Sequence, residues 1–277
     1  MNYIRRLFSF FCLLLVLLPA QLYAFAPPAQ IKVEAAEWGD ASPEDVQAVL
    51  NSVIETISPY IATRHFGTVI VRHSTDVPRS LNEKGANGEY IVQLAVSGRQ
   101  WAQFAYQFSH EMCHLMSNYD LAPNNVSHQQ WFEESLCEAF SLFSLEKMGK
   151  QWETNPPYPN WQEYAPHFSE YERDNLQQAH RKLPDGMKLS DWYQQNSSLL
   201  SVDPYAQDRH LNELLSNRLL AIFVIAPDKW AAINYLNLGD DSSATSLDKH
   251  LQDWQDNAPP DLRAPVESIR QLLLKPQ

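Results

Sequence analysis

Apolar and polar positions change their spacing along the chain, and the changes mark its elements. Leu7 to Leu18 is an unbroken apolar run apart from Ser9, preceded by Arg5 and Arg6 and followed by small residues around Pro19-Ala20 and Leu22-Tyr23-Ala24. That pattern reads as a secretory signal peptide over residues 1–24; the run is short against the roughly 20 residues of a membrane-spanning helix. The chain is therefore expected to be exported, periplasmic or secreted, without stable membrane insertion once the signal is cleaved. Retention of the segment as an anchor is the second reading.

Beyond it, Ile31 to Ala36 predicts a short strand. Ser42-Pro43-Glu44-Asp45 predicts a helix start, continued at helical spacing by Val46, Leu50, Val53, Ile54 and Ile57. Thr68 to Val71 and Tyr90 to Val96 predict strands, with a turn-rich connection from Asp76 to Gly88 between them. A helix over about Arg99 to Asn118 carries an apolar stripe of Trp101, Phe104, Ala105, Phe108, Met112 and Leu115. Gln103, Tyr106, His110 and His114 fall on another side. A second helix, about Gln130 to Met148, packs through Phe132, Leu136, Phe140 and Phe143 and projects Glu134 and Glu138 elsewhere. Asn155-Pro156-Pro157-Tyr158-Pro159-Asn160 breaks the chain. Helical patterns dominate after it, at about Trp161 to Arg181, Leu189 to Asn196, Arg209 to Val224, Asp228 to Asn237 and Ser246 to Asp256. The expected class is α+β: a mixed α/β subdomain over 25–154 and a helical one over 155–277.

Composition narrows the partners. The formal charge of −12 becomes about −14 once Arg5 and Arg6 leave with the signal. A surface so acidic repels phosphate, which argues against nucleic acid and anionic membrane. Of three cysteines, Cys12 lies in the signal, leaving Cys113 and Cys137 in a compartment where disulfides persist. They either form a bridge or are two buried thiols acting as small apolar residues.

The chemistry lies on the two helices that carry these cysteines. His110-Glu111-Met112-Cys113-His114 places two imidazoles four residues apart, on one helical face. With Glu134 as third ligand they suit one catalytic zinc ion with an open fourth position. Glu133 is the rival to Glu134, which is preferred because Glu138 then stands one turn later, placed to orient a ligand histidine. Glu111, one step round the helix from His110, is suited to act as general base on a water activated by the metal. Gly-x-Ser-x-Gly elbows, glycine-rich phosphate loops and basic stripes are absent, and Ser144-Leu145-Glu146-Lys147 lacks the companion motifs that a Ser-x-x-Lys site needs. Asn125 and Asn196 begin glycosylation sequons.

His110 to His114 followed by Trp131-Phe132-Glu133-Glu134-Ser135, with 19 residues between His114 and Glu134, resembles the gluzincin metallopeptidases, thermolysin-like and M1-aminopeptidase-like. The close resemblance covers about 40 residues around the two motifs. It departs at Glu133, where the family usually has asparagine. The resemblance implies a zincin-like fold, an active-site cleft between the two subdomains, one zinc ion and a peptide or protein substrate. It implies Glu138 as the outer acid. It also implies an edge strand that holds substrate by main-chain pairing, for which Tyr90 to Val96, with Tyr90 and Val92, is the candidate; an ordinary interior strand is the other reading. A tyrosine or histidine after the third ligand should steady the oxyanion, with Tyr205 and His210 as candidates. A different class, a non-catalytic exported binding or assembly protein that retains a gluzincin-like zinc fold without turnover, remains the alternative.

Overall fold

The computed structural model describes residues 28–35, 38–61, 64–120, 129–239 and 246–274. Residues 1–24, expected as a signal peptide, the Asn125 sequon and His128 lie outside them. Within the first half, β1 (Gln30–Val33), β2 (Thr68–His73), β3 (Arg79–Ser80) and β4 (Tyr90–Leu94) form one sheet in the order β1-β2-β4-β3. β1 and β4 both run parallel to β2, and β3 alone is antiparallel. α1 (Pro43–Ile61) makes the crossover from β1 to β2. Its start follows from the Ser42 side chain, which accepts the Asp45 N–H at 3.0 Å, with proline in the first turn.

The strand order corrects one expectation. β4 is paired on both sides, Val92 with Val71 in β2 and with Ser80 in β3, and Val92 is 0% exposed. Tyr90 points its hydroxyl at Asp120, 3.1 Å away, and carries the Lys84 ammonium over its ring. Tyr90 and Val92 thus belong to an interior strand with no main chain left for a ligand, and the edge is β3.

α2 (Trp101–Met116) buries Phe104, Ala105, Phe108, Met112 and Leu115, as its stripe predicts. α3 (Gln130–Trp152) is buried on nearly every side, as a central helix must be. It tolerates serines there because the hydroxyls of Ser135, Ser141 and Ser144 each donate to the carbonyl four residues back, at 2.8–2.9 Å.

The second half contributes α4 (Ala165–Leu176), α5 (Leu189–Val202), α6 (His210–Phe223), α7 (Leu247–Asn257) and α8 (Arg263–Leu274). The stretch expected as one helix from Trp161 to Arg181 is broken into short 3-10 turns flanking α4, and Pro227–Tyr235 is also 3-10. The chain break near Pro156 does not divide the core. Trp230 stacks on Phe223 and meets Phe140 and Phe143 of α3 edge-on or tilted, and Trp254 packs on Phe132. The result is a mixed α/β structure, mostly helical, in which α2 and α3 lie between the sheet and the later helices. Among the described residues no helix is long and apolar enough to cross a membrane.

Candidate metal centre

Because α2 turns its apolar stripe to the core, His110 and His114 emerge together from another side, their rings 4.9 Å apart. α3 brings three glutamates against them. His110 Nε2 lies 3.2 Å from Glu134 Oε2, and His114 Nε2 lies 3.5 Å from Glu134 Oε1. Tetrahedral nitrogen and oxygen ligands, each 2.0–2.2 Å from an ion, stand about 3.3–3.6 Å from one another. The Nε2 atoms and the Glu134 carboxylate therefore sit at the mutual spacing of a ligand set, and the three donors converge within 4.8 Å. The residues present fit a zinc ion.

The opposite ring nitrogens have separate partners. His110 Nδ1 faces Glu138 Oε2 at 3.9 Å, and His114 Nδ1 meets Glu133 Oε1 at 2.7 Å. Glu133 thus meets the Nδ1 side of His114, opposite the Nε2 that faces Glu134. Its carboxylate is itself held by Ser117 Oγ at 2.5 Å and Asn237 Nδ2 at 2.7 Å. Glu138 accepts from Tyr106 and from Arg181 Nη2, the latter at 2.6 Å. Carboxylates at Nδ1 favour the tautomer that leaves Nε2 as a lone pair, which is what a ligand histidine needs.

Charge in this cluster is tightly coupled. Burial would raise the Glu134 carboxyl, but His114 and His110 hold it well below its usual range. Burial would likewise lower His114, yet Glu134 and Glu133 push it well above its ordinary value. Without a metal, His114 is therefore a cation paired with carboxylates. Burial also raises Glu138, an effect that Arg181 and His110 outweigh, so it too stays ionised.

Glu111 lines the same cleft without joining the ligand atoms. Ser80 Oγ, on the edge strand, lies 3.0 Å from Glu111 Oε2 and 3.2 Å from the Glu111 carbonyl, so the strand and the carboxylate are registered on each other. The cleft is about 580 Å³ and is lined by Val77 to Ser80 of the edge-strand region and by Tyr205, Asp208, Arg209 and Asn237 of the second half. With Tyr119, Gln130 and the two histidines, the lining combines edge strand, helices and second-half loop.

Tyr205 and His210 part company. Tyr205 OH lies 3.4 Å from Glu134 Oε1 and accepts from Gln130 Nε2 at 3.0 Å. Burial and then Glu134 push its phenol up to about 12, so it stays a proton donor across the physiological range. His210 instead stacks on His180 with ring centroids 4.1 Å apart and does not line the cleft. His210 is therefore corrected as a cleft residue; its neighbour Arg209 takes that place. Arg209 Nη2 lies 2.6 Å from Glu134 Oε2 and 3.3 Å from His110 Nε2. Gln207, Asp208 and Arg209 all have left-handed backbone, φ 55°, 52° and 71°, with no glycine among them. Strain of this kind, of order 1–3 kcal/mol per residue, is concentrated at functional sites.

Cys113 and Cys137 join α2 to α3 beside His114, their sulfurs at disulfide-bonding distance and their Cα atoms 5.2 Å apart. Arg209, Ser80 and Asn237 belong to no motif and have no signal in the sequence. No family model matches the chain, and neither a curated protein nor a solved structure matches it.

Proposed function

We propose that the chain is an exported zinc-dependent metallopeptidase of gluzincin type, with a zincin-like first half. The observation that carries this reading is the convergence of His110 Nε2, His114 Nε2 and Glu134 at ligand spacing, beside a cleft that also presents Glu111. His110, His114 and Glu134 would hold the ion, which supplies an acidified water and a Lewis acid for a peptide carbonyl.

Every other role falls to the protein. Glu138 and Glu133 orient the imidazoles through their Nδ1 atoms. Glu111, steadied by Ser80, takes a proton from the attacking water and returns it to the departing amine. Tyr205, a hydroxyl at neutral pH, and Arg209 donate toward the oxygen on which negative charge develops. β3, the edge strand on the wall of the cleft, offers main chain to an extended peptide. The substrate class is a peptide or protein segment in extended conformation.

The test is metal analysis of the mature protein together with hydrolysis of a peptide library by wild type and Glu111→Gln. One zinc per chain in both, with kcat lowered about 10²–10⁴-fold in the variant, is expected. Equal cleavage by the two proteins would remove Glu111 from its role. A second reading, an exported binding or assembly protein without turnover, is favoured by one contact: the Arg209 guanidinium pairs with the Glu134 carboxylate at 2.6 Å and so competes with a cation for it. It predicts no cleavage by either protein in the same measurements.

A further inference from the structure

We propose that Cys137 Sγ, His114 Nδ1 and Glu133 form a second metal site for a soft divalent cation, kept closed by the Cys113–Cys137 disulfide. The three donors already converge within 4.8 Å, from two different helices. Cys137 Sγ lies 3.8 Å from His114 Nδ1, near the ~3.6 Å that separates a sulfur and a nitrogen ligand on one tetrahedral ion. Glu133 Oε1, 2.7 Å from that nitrogen, reaches the spacing of two ligands on one ion by a retreat of about 0.6–0.9 Å. The surroundings suit the site. All three residues are buried or half-buried, and a thiolate, a carboxylate and a neutral imidazole around a dication sum to zero charge. Ser117 and Asn237 already fix the carboxylate, and a thiolate in the set selects zinc or cadmium over magnesium or calcium.

The two ligand sets share His114 through opposite nitrogens. The His110–His114–Glu134 set uses the Nε2 lone pair, with the proton on Nδ1 facing Glu133. The thiolate set needs the Nδ1 lone pair and so places the proton on Nε2. A neutral imidazole cannot do both, so the two sites exclude each other. The disulfide decides between them: while Cys137 is bonded to Cys113 it has no thiolate to give. Exchange with a dithiol breaks the Sγ–Sγ bond, oxidises the dithiol to its own disulfide and leaves Cys113 and Cys137 as thiols. Cys137 then releases its proton to solvent when the metal takes its sulfur. The bridge therefore guards the His–His–Glu set as well as stapling the helices that carry it.

Cobalt(II) distinguishes the sets, because a sulfur ligand adds a near-ultraviolet charge-transfer band that nitrogen and oxygen ligands lack. Oxidised wild type should bind one cobalt without that band. Cys113→Ser, which frees Cys137 without a reductant, should bind one cobalt with it, and so should wild type reduced by a dithiol that is then removed. The double variant C113S/C137S should lose the band. A folded Cys113→Ser protein that binds cobalt without the band, or binds none, overturns the proposal. So does loss of the fold in both the variant and the reduced wild type, since the site needs α2 and α3 in place. Failure of the peptidase reading looks different: oxidised wild type would take up no metal, whatever the thiol forms do.

Discussion

Arg181 offers a severe test of how the candidate site is supported. Its side chain is 1% exposed and its guanidinium pairs with Glu138 at 2.6 Å and with Glu213 at 3.5 Å, while donating to Ser216 Oγ at 3.2 Å. Replacing it by methionine keeps much of the volume and removes the charge. Glu138, itself 5% exposed, is then left with Tyr106 as donor and His110 at 3.9 Å. Breaking one half of a buried ion pair costs about 3–5 kcal/mol, because the desolvation of the survivor is no longer offset. For a chain of this size that corresponds to a fall in Tm of about 6–20 °C. Removing Glu138 as well, in R181M/E138Q, takes away the uncompensated charge, so the double variant should be more stable than the sum of the single losses by about 2 kcal/mol or more. Thermal and urea unfolding of the four proteins, metal-free, measures that coupling.

The pH dependence has a definite sign. Glu138 is held below its usual range in the folded protein, so its contribution is present above about 4.5 and is lost as pH falls through the folded value. In Arg181→Met burial acts without its main opponent and the carboxyl rises. Protonation then relieves the variant, and the stability gap to wild type should narrow from pH 7 towards pH 4. Additive losses in the cycle, within about 0.5 kcal/mol, or a gap that widens in acid, would show that Arg181 does not act through the Glu138 charge.

Three other outcomes follow from particular contacts. Ser80→Ala should lower kcat about two- to tenfold, the worth of one hydrogen bond of about 0.5–1.5 kcal/mol to Glu111, with metal content unchanged; an unaltered kcat would detach the edge strand from the carboxylate. Arg209→Ala should tighten metal binding by up to about fivefold, since the half-exposed pair with Glu134 is worth up to about 1 kcal/mol, while slowing turnover; weaker metal binding would mean that Arg209 supports the ligand set instead of competing with it. Because His114 is held protonated above its ordinary value in the metal-free protein, zinc binding near pH 7 should release about one proton, as read by calorimetry in buffers of different ionisation enthalpy; no proton release would place His114 already neutral. The same raised value means that His114 stabilises the metal-free fold fully below about 6.5 and ceases to do so as pH rises through the folded value.

What was legible in the sequence was whatever a single helix can encode. His110, Glu111 and His114 declare themselves because a helical period fixes which residues share a face, and the α2 stripe from Trp101 to Leu115 shows which face remains free. Glu134 and Glu138 follow by the same periodicity on α3, and the placement of Cys113 and Cys137 within these motifs brings their sulfurs together. The strand order was not legible in that way. β3 has only two residues, too few for any alternation, so Tyr90 to Val96 is the more conspicuous strand although it lies inside the sheet. The walls of the cleft were hidden for a related reason. Ser80, Arg209 and Asn237 reach the site across 31, 75 and 104 residues of chain, and no local spacing records such contacts.

The exchange of His210 for Arg209 shows the limit most sharply. His210 is the sequence candidate because the resemblance implies a tyrosine or histidine after Glu134 to steady an oxyanion. Three successive left-handed residues, none of them glycine, instead set the approach so that the side chain just before the helix reaches Glu134, while His210 stacks on His180. A backbone strained by several kcal/mol persists only where surrounding contacts over-determine it. The contact identified there is the guanidinium against Glu134 and His110. The left-handed turn and the His-Glu-x-x-His pattern thus meet at the same few atoms, those of Glu134 and His110.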